Sequence, residues 1–478
     1  MIGLFSTLNL GVRSLQAQQT AVEVAGQNLA NVNNTAYTRQ RVQIQTSPTV
    51  QTAIGPQGTG AQAVAIEQLR DLLVEGQIRS ETSVGGYWTA QQKALQYAQT
   101  GLGEFIDRNA DAVGSAGSGI GALSGLADEL NDLFNAFQSV ATATATTSPN
   151  ALTERQDLLN QAQLLATRFN QSAQRLSDLS SQLDDSLEQN VTSANQLLQD
   201  IASLNQQIMG AELGNSGVAN DLRDLREQKL VALGELVNFD AVEINGGVAV
   251  SINGQSLVTG GAATDALETY YGVNSELLVR TAGGGVNLAL AGGSMAGTIE
   301  VRDGALKSLR DGLDGLAASL IAEVNNVHRA GFSLTGSTGE DFFTGTSAAT
   351  MGVNAVLVAD PGLVQLAGIA GAAGDNAVGL ALAHLGGTAW AALGNQTFAG
   401  DYGRLVGKLG EDLRGANDQV AAHGAVARML QQQRDAVSGV SVDEEMADLV
   451  RFQRAYQASA RIITTVDEML QTVLSLKS

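Results

Sequence analysis

The first residues to test for chemistry are the three histidines, His328, His384 and His423, because an imidazole ligates metals and moves protons near neutral pH. They lie far apart in the chain, and none belongs to a spacing used by zinc sites. Each reads as a surface or packing residue. The acidic run Asp443, Glu444, Glu445 could hold a cation. It also follows Ser441 at what reads as a helix start, where the helix dipole and a Ser441–Glu444 capping box account for the carboxylates. The stretch GSGIGA, residues 117–122, approaches a nucleotide loop, but no buried strand precedes it, so it reads as a flexible loop. No Walker loop and no Gly-x-Ser-x-Gly elbow occurs, and Gly374, Asp375 and Asn376 read as a turn. The chain has no cysteine, which excludes thiol catalysis, disulfides and cysteine-based metal centres. These patterns point to no enzyme, no cofactor and no metal.

The elements around these residues carry a clearer message. Leu8, Leu15, Val22 and Leu29 recur every seven residues, with Phe5 and Val12 in a second row. An apolar seam of this kind seeks a partner helix or a globular core. At the other end Leu449, Tyr456, Ile463 and Leu470 repeat with the same period, accompanied by Phe452, Val466 and Val473. The two seams are expected to pair with each other as an antiparallel coiled coil. Lone helices of this kind are marginal in water, so full ordering is expected inside a larger assembly. Directly after the first seam comes ANVNNTAYTRQ, residues 30–40, a polar elbow whose Asn and Thr side chains can satisfy backbone groups where the helix ends. Tyr37 and Arg39 in it suit contacts to a neighbouring subunit; an intrachain cap is the competing reading.

Between the ends, residues 151–209 contain neither Gly nor Pro in a chain of 478 residues with 55 glycines. This predicts long helix, read as two helices joined by a hairpin. The texture then changes. VEINGGVAVSINGQSLVTGG alternates apolar and small residues around Asn245-Gly246 and Asn253-Gly254, strong hairpin signals. The fold class is therefore mainly α with an inserted antiparallel β domain, nested. Residues 1–46 and 440–478 form the paired terminal helices, 47–237 and 300–439 a helical body, and 238–299 a β-rich insertion. Helix is predicted to resume at Arg302, to run to about Arg329, and to return over about 403–437, with 332–400 left undecided. The net charge of −21 disfavours nucleic acid and anionic lipid as partners. No basic n-region precedes an apolar core at the N-terminus, and no apolar run reaches the roughly 18 residues of a membrane span.

The motifs at both ends resemble those of the rod, hook and hook-associated axial proteins of the bacterial flagellum. Asn28-Leu29-Ala30-Asn31 followed by Tyr37-Thr38-Arg39-Gln40 is similar to their N-terminal motif, and Arg39-Gln40 after the tyrosine marks the hook-associated protein 1 branch. The Asp443-Glu444-Glu445 lead and the Phe452–Ala458 run resemble that branch's C-terminal helix, and residues 323–343 also fit. Where the family commonly has glycine before the tyrosine, this chain has Ala36, so a left-handed turn there is not expected. The resemblance implies Asn31, Tyr37, Arg39 and Gln40 as elbow residues and a structural role at the hook–filament junction. It implies as partners further copies of the chain in a ring, hook protein, a second hook-associated junction protein, and an export chaperone binding the C-terminal region. It further implies an extracellular location, reached by type III export without a cleavable signal. The rival expectations are another axial subunit of hook or distal rod, a secreted enzyme on flagellar termini, and a cytoplasmic coiled-coil adaptor.

Overall fold

The computed structural model describes residues 4–52, 55–103, 125–146, 151–213, 217–244, 246–372 and 374–476. The GSGIGA stretch and Asn245 lie outside the described residues. Helix α1 spans Leu4–Ala30 and leads through the elbow into a ribbon in which β1 (Gln40–Thr46) pairs antiparallel with β4 (Ala61–Gln68). A short hairpin, β2 (Val50–Thr52) with β3 (Gly55–Gln57), joins them. This ribbon corrects the expectation of helix from residue 47. Its signal is present in Val42 and Ile44 alternating with Arg41, Gln43 and Gln45, which places alternate residues on opposite faces of a strand.

The body is helical. Helix α2 (Leu72–Leu102) starts at Asp71, whose carboxylate accepts from the amides of Leu73 and Val74, and stops at Gly103 in the left-handed conformation, φ 72°. Helix α3 (Leu126–Thr146) follows. Residues 152–212 form one helix of 61 residues, α4, and not the expected hairpin of two. Its buried row runs unbroken from Leu158 to Ile208, so no bend is needed to cover it. Helix α5 (Asn220–Leu236) turns back along α4.

Strands β5 (Asp240–Ile244), β6 (Gly247–Ile252), β7 (Gln255–Thr259) and β8 (Ala262–Ala263) form one antiparallel sheet in that order. Asn253 and Gly254 make its tight turn with φ of 49° and 75°. A separate hairpin pairs β9 (Leu267–Tyr271) with β10 (Leu277–Thr281). Helix resumes at Gly293, earlier than expected, as α6 (Gly293–Glu300), a π-helical turn (Val301–Leu306) and α7 (Lys307–His328). The undecided region holds a two-residue strand pair, β11 (Phe343–Thr344) with β12 (Gly352–Val353), and short helices α8 (Ala355–Ala359) and α9 (Ala377–Leu385). Helices α10 (Phe398–Ser438) and α11 (Val442–Ser475) complete the chain.

Two hydrophobic cores share α4. The larger joins α4 residues Leu158–Leu183 to α2, α3, α7, α9 and α10. The smaller joins α4 residues Leu187–Ala202 to α5 and the strands, including Val250, Leu257 and Val279. Among the described residues no helix is long and apolar enough to cross a membrane.

Candidate interaction site at the elbow

Helix α1 lies antiparallel to α11. Gly11 faces Ile463, close enough that a Cβ on Gly11 would stand 2.9 Å from Ile463 Cγ1. Seventeen residues further along α1, Asn28 donates from Nδ2 to Glu445 Oε2 at 3.0 Å, near the start of α11. Leu8 and Leu15, three before and four after Gly11, share its face. Leu8, Leu15, Val22 and Leu29 are all half-buried, as are Leu449, Phe452, Ile463 and Leu470. Val466 is buried, while Tyr456 is 38% exposed. One partner helix thus covers only part of each apolar row.

The joint between this pair and the body is a polar cluster closed around Asn28, which is 1% exposed. Its Nδ2 donates to the Gln40 carbonyl at 2.9 Å as well as to Glu445. Its Oδ1 accepts from the Tyr37 hydroxyl at 2.8 Å and from the Gln40 amide at 3.0 Å. All the hydrogen-bonding capacity of a buried amide is thereby used, which is what makes burying it tolerable. Sequence reading placed Asn28 in a motif without giving it this role; an Asn on the buried side of a helix was the available signal.

Within the chain, Tyr37 turns to Asn28 and Arg39 to Glu444 and Glu445, the contacts that the intrachain-cap reading expects. Tyr37 is 8% exposed, and its hydroxyl pKa is raised by burial first and then by the charges of Asp221, Asp224 and Glu445. The neutral phenol therefore serves as a donor. Arg39 reaches Glu444 at 2.6 Å and Glu445 at 2.7 Å. Burial opposes its charge, but the hydrogen bond to Glu444 and the two carboxylates outweigh it and raise its pKa. The acidic lead of α11 is thus a counter-ion for the elbow. Helix α11 does begin after Ser441, but the Ser441 side chain makes no capping bond, so the expected capping box is absent. Glu444 is turned to Arg39 instead.

The elbow backbone is tied down on every side. The Arg39 amide donates to Ser438 O at 2.9 Å, and Arg434 donates to Thr35 O at 2.7 Å, both from the end of α10. On the other side the Thr38 amide donates to Asp224 at 2.9 Å, and Gln40 Nε2 donates to Asp221 at 3.0 Å, both on α5. Burial raises the Asp224 pKa, and the bonds from Thr38 and Gln68 and the charge of Arg70 pull it back. Asn31, by contrast, only folds back on its own helix, donating to Gln27 O at 2.9 Å. Ala36 is not among the described residues with positive φ.

The histidines take no part in this site. His328 is enclosed in the larger core, His384 is exposed on α9, and His423 meets Glu81 at 2.7 Å. Among the described residues no cluster of His, Cys, Asp and Glu is arranged to hold a metal. The arrangement offers adhesion between helices and rigid transmission of their orientation.

Comparison with known proteins agrees along the length of the chain. Residues 120–343 match the family described as flagellar hook-associated protein FlgK helical domain, and residues 431–476 that described as flagellar basal body rod FlgEFG protein C-terminal. The sequence is 30% identical to flagellar hook-associated protein 1 of Bacillus subtilis (strain 168), over 99% of each chain. It is 23% identical to the protein of that name from Escherichia coli (strain K12), over 99% of this chain and 100% of the other. The solved structure of the flagellar hook junction protein FlgK from Burkholderia pseudomallei is similar in fold, with a TM-score of 0.60 at 17% identity, covering 76% of this chain and 100% of that one.

Proposed function

Because the chain belongs to the flagellar hook-associated protein 1 family, we propose that it is a structural subunit of the hook–filament junction, assembled as a ring of identical copies. The observation that carries this reading is the half-covered apolar row on each of α1 and α11. One partner helix leaves both rows open to further helices, and a closed or helical array of copies supplies them. The joint around Asn28 fixes the axial pair to the body, so the orientation of the inner helices sets that of the outer domains. In this way the subunit adapts the flexible hook to the stiff filament by geometry alone, with no catalytic step.

The flagellum is where the chain acts. Within it, the ring contacts hook protein on one side and a second hook-associated junction protein on the other. Before assembly an export chaperone holds the C-terminal region, and the chain leaves the cell through the flagellar type III apparatus. The domain boundaries follow the nested plan of 1–46 with 440–478, 47–237 with 300–439, and 238–299. The seam residues Leu8, Leu15, Val22, Leu29, Leu449, Phe452, Tyr456, Ile463, Val466 and Leu470 make the contacts within and between subunits. Asn31 and Gln40 belong to the elbow with Tyr37 and Arg39.

The deciding experiment is deletion of the gene, followed by electron microscopy of cells and assay of flagellin in the medium. Hooks without filaments, with flagellin shed, are expected. Cells without hooks would move the chain down the axis to hook or rod, and normal flagella would end the proposal.

A further inference from the structure

The helical run from Gly293 to His328 is continuous but not uniform, because the π-helical turn at Val301–Leu306 interrupts it. A π turn closes i→i+5 hydrogen bonds, inserts an extra residue into an α-helix, and is rare outside functional sites. Two close packing contacts meet here. Before the turn, α6 lies so close to α2 that a Cβ on Gly297 would stand 2.3 Å from the Tyr87 carbonyl oxygen. After it, α7 lies so close to α10 that a Cβ on Gly312 would stand 2.5 Å from Leu405 Cδ2. The extra residue resets the phase of the helix between these two grips.

The turn also sits where the two hydrophobic cores part. Met295 belongs to the core of the β insertion, whereas Val301 and Leu306 belong to the core of the body. On α4 the same boundary falls between Leu183 and Leu187. Arg302, inside the turn, crosses to Asp184 on α4 at 2.6 Å and also pairs with Asp303 at 2.7 Å. Open space flanks the turn on two faces. A cleft of about 720 Å³ is lined by Val301 and Ala305, and another of about 440 Å³ by Arg302, Asp303 and the β9–β10 loop residues Asn274 and Ser275.

We propose that the π turn is a flexible joint at which the β insertion tilts against the helical body. A break in the regular α-helical ladder, two separately packed bodies and free volume on either side are what such a joint requires. Long α4 and α2, which both pack on the two bodies, follow the tilt by smooth curvature. The Arg302–Asp184 pair tethers the two bodies and limits the excursion. This inference rests on packing alone and stands or falls independently of the junction assignment.

Hydrogen exchange on the full chain tests it first. Amides of residues 301–307 are expected to exchange at least about tenfold faster than those of residues 313–324 in α7. Gly304→Ala stiffens the turn with little steric conflict, since the new Cβ meets only Glu300 Oε1 at 3.9 Å. It is expected to slow that exchange by about two- to fivefold. Because the chain has no cysteine, spin labels at Val273→Cys in the insertion and Ser139→Cys in the body report the tilt directly. Their distance distribution is expected to be broader than that of a control pair, Ser139→Cys with Glu411→Cys, and to narrow in Gly304→Ala. Exchange at 301–307 as slow as in α7, or an insertion–body distribution as narrow as the control, would overturn the joint.

Discussion

Protonating His328 should unlatch the larger core, and the size of the effect follows from its surroundings. The ring is fully enclosed. Its Nε2 accepts from the Gln365 amide at 3.0 Å, so Nδ1 carries the proton and donates to the Glu340 carbonyl at 2.8 Å. A second proton would have to sit on Nε2, facing an N–H donor. Burial lowers the pKa from 6.5 to about 4; the Glu340 carbonyl and Asp341 push upward, and Arg155 adds to the lowering. The folded state therefore binds this proton more weakly than the unfolded chain does. The stabilising contribution is complete above pH 6.5, falls as pH drops toward 4, and is gone below it. The gap between 6.5 and about 4 corresponds to about 3 kcal/mol, most of which is lost between pH of about 7.5 and about 4.5. His328→Phe keeps the ring volume and removes the titration, while stranding the Gln365 amide at a cost of about 1–3 kcal/mol at neutral pH. Urea unfolding of both chains at the two pH values isolates the effect, since the carboxylates titrate alike in each. The parent should lose roughly 2–3 kcal/mol more than the variant. Equal losses would refute the reasoning.

Asn28→Ala removes all four hydrogen bonds at the joint and leaves the Tyr37 hydroxyl, both backbone groups of Gln40 and Glu445 short of a partner. Loosening of the joint by about 4 kcal/mol or more is expected, seen as cells with few or no filaments while the two cores of the purified full-length variant melt at the parental temperature; a normal filament count would contradict it. Tyr37→Phe deletes one of those bonds, worth about 1 kcal/mol, and swimming should stay close to normal. Complete loss of swimming would mean that the hydroxyl acts on something besides Asn28. Gly11→Leu drives a side chain into Ile463 and should abolish motility on soft agar, with Ile463→Ala in the same chain restoring it. Failure of that rescue would show that the two residues do not meet as described.

What could be read from the sequence followed from periodicity and from turn chemistry that overrides context. The heptad rows at both ends placed α1 and α11 together, and Asn253-Gly254 marked a hairpin because those residues enter positive φ readily. The ribbon of β1 and β4 escaped notice because Gln and Ala fill most of its positions, although Val42 and Ile44 alternate as a strand requires. A hairpin within residues 151–209 would have broken the continuous apolar row from Leu158 to Ile208, which one helix keeps whole. Residues 332–400 gave no pattern because their short elements are shaped by contacts to the larger core, such as Asn325 donating to Phe343 O at 2.8 Å. The π turn has no sequence signal at all, since its phase is fixed by two partners that local pattern cannot see. At the elbow the motif residues were found, but their direction was not. A tyrosine and an arginine suit an interface or an intrachain latch equally well, and their partners within the chain, Asn28 and Glu445, lie far off in the sequence or carry no local signal.

Asn28 and Glu445 are 417 residues apart in the chain and one hydrogen bond apart in space. Any chain that emerges end first, from a ribosome or through a channel, therefore exposes one half of this latch long before the other exists. Loop closure over such a separation is slow and comes late. The two cores can form in the meantime, but the latch cannot. A copy cut short anywhere before Glu444 leaves Arg39 without its carboxylates and Asn28 without its distal acceptor, however well the rest has folded. Closure of the latch thus certifies that the chain has been made and delivered as far as Glu445, and the certificate is issued by topology alone.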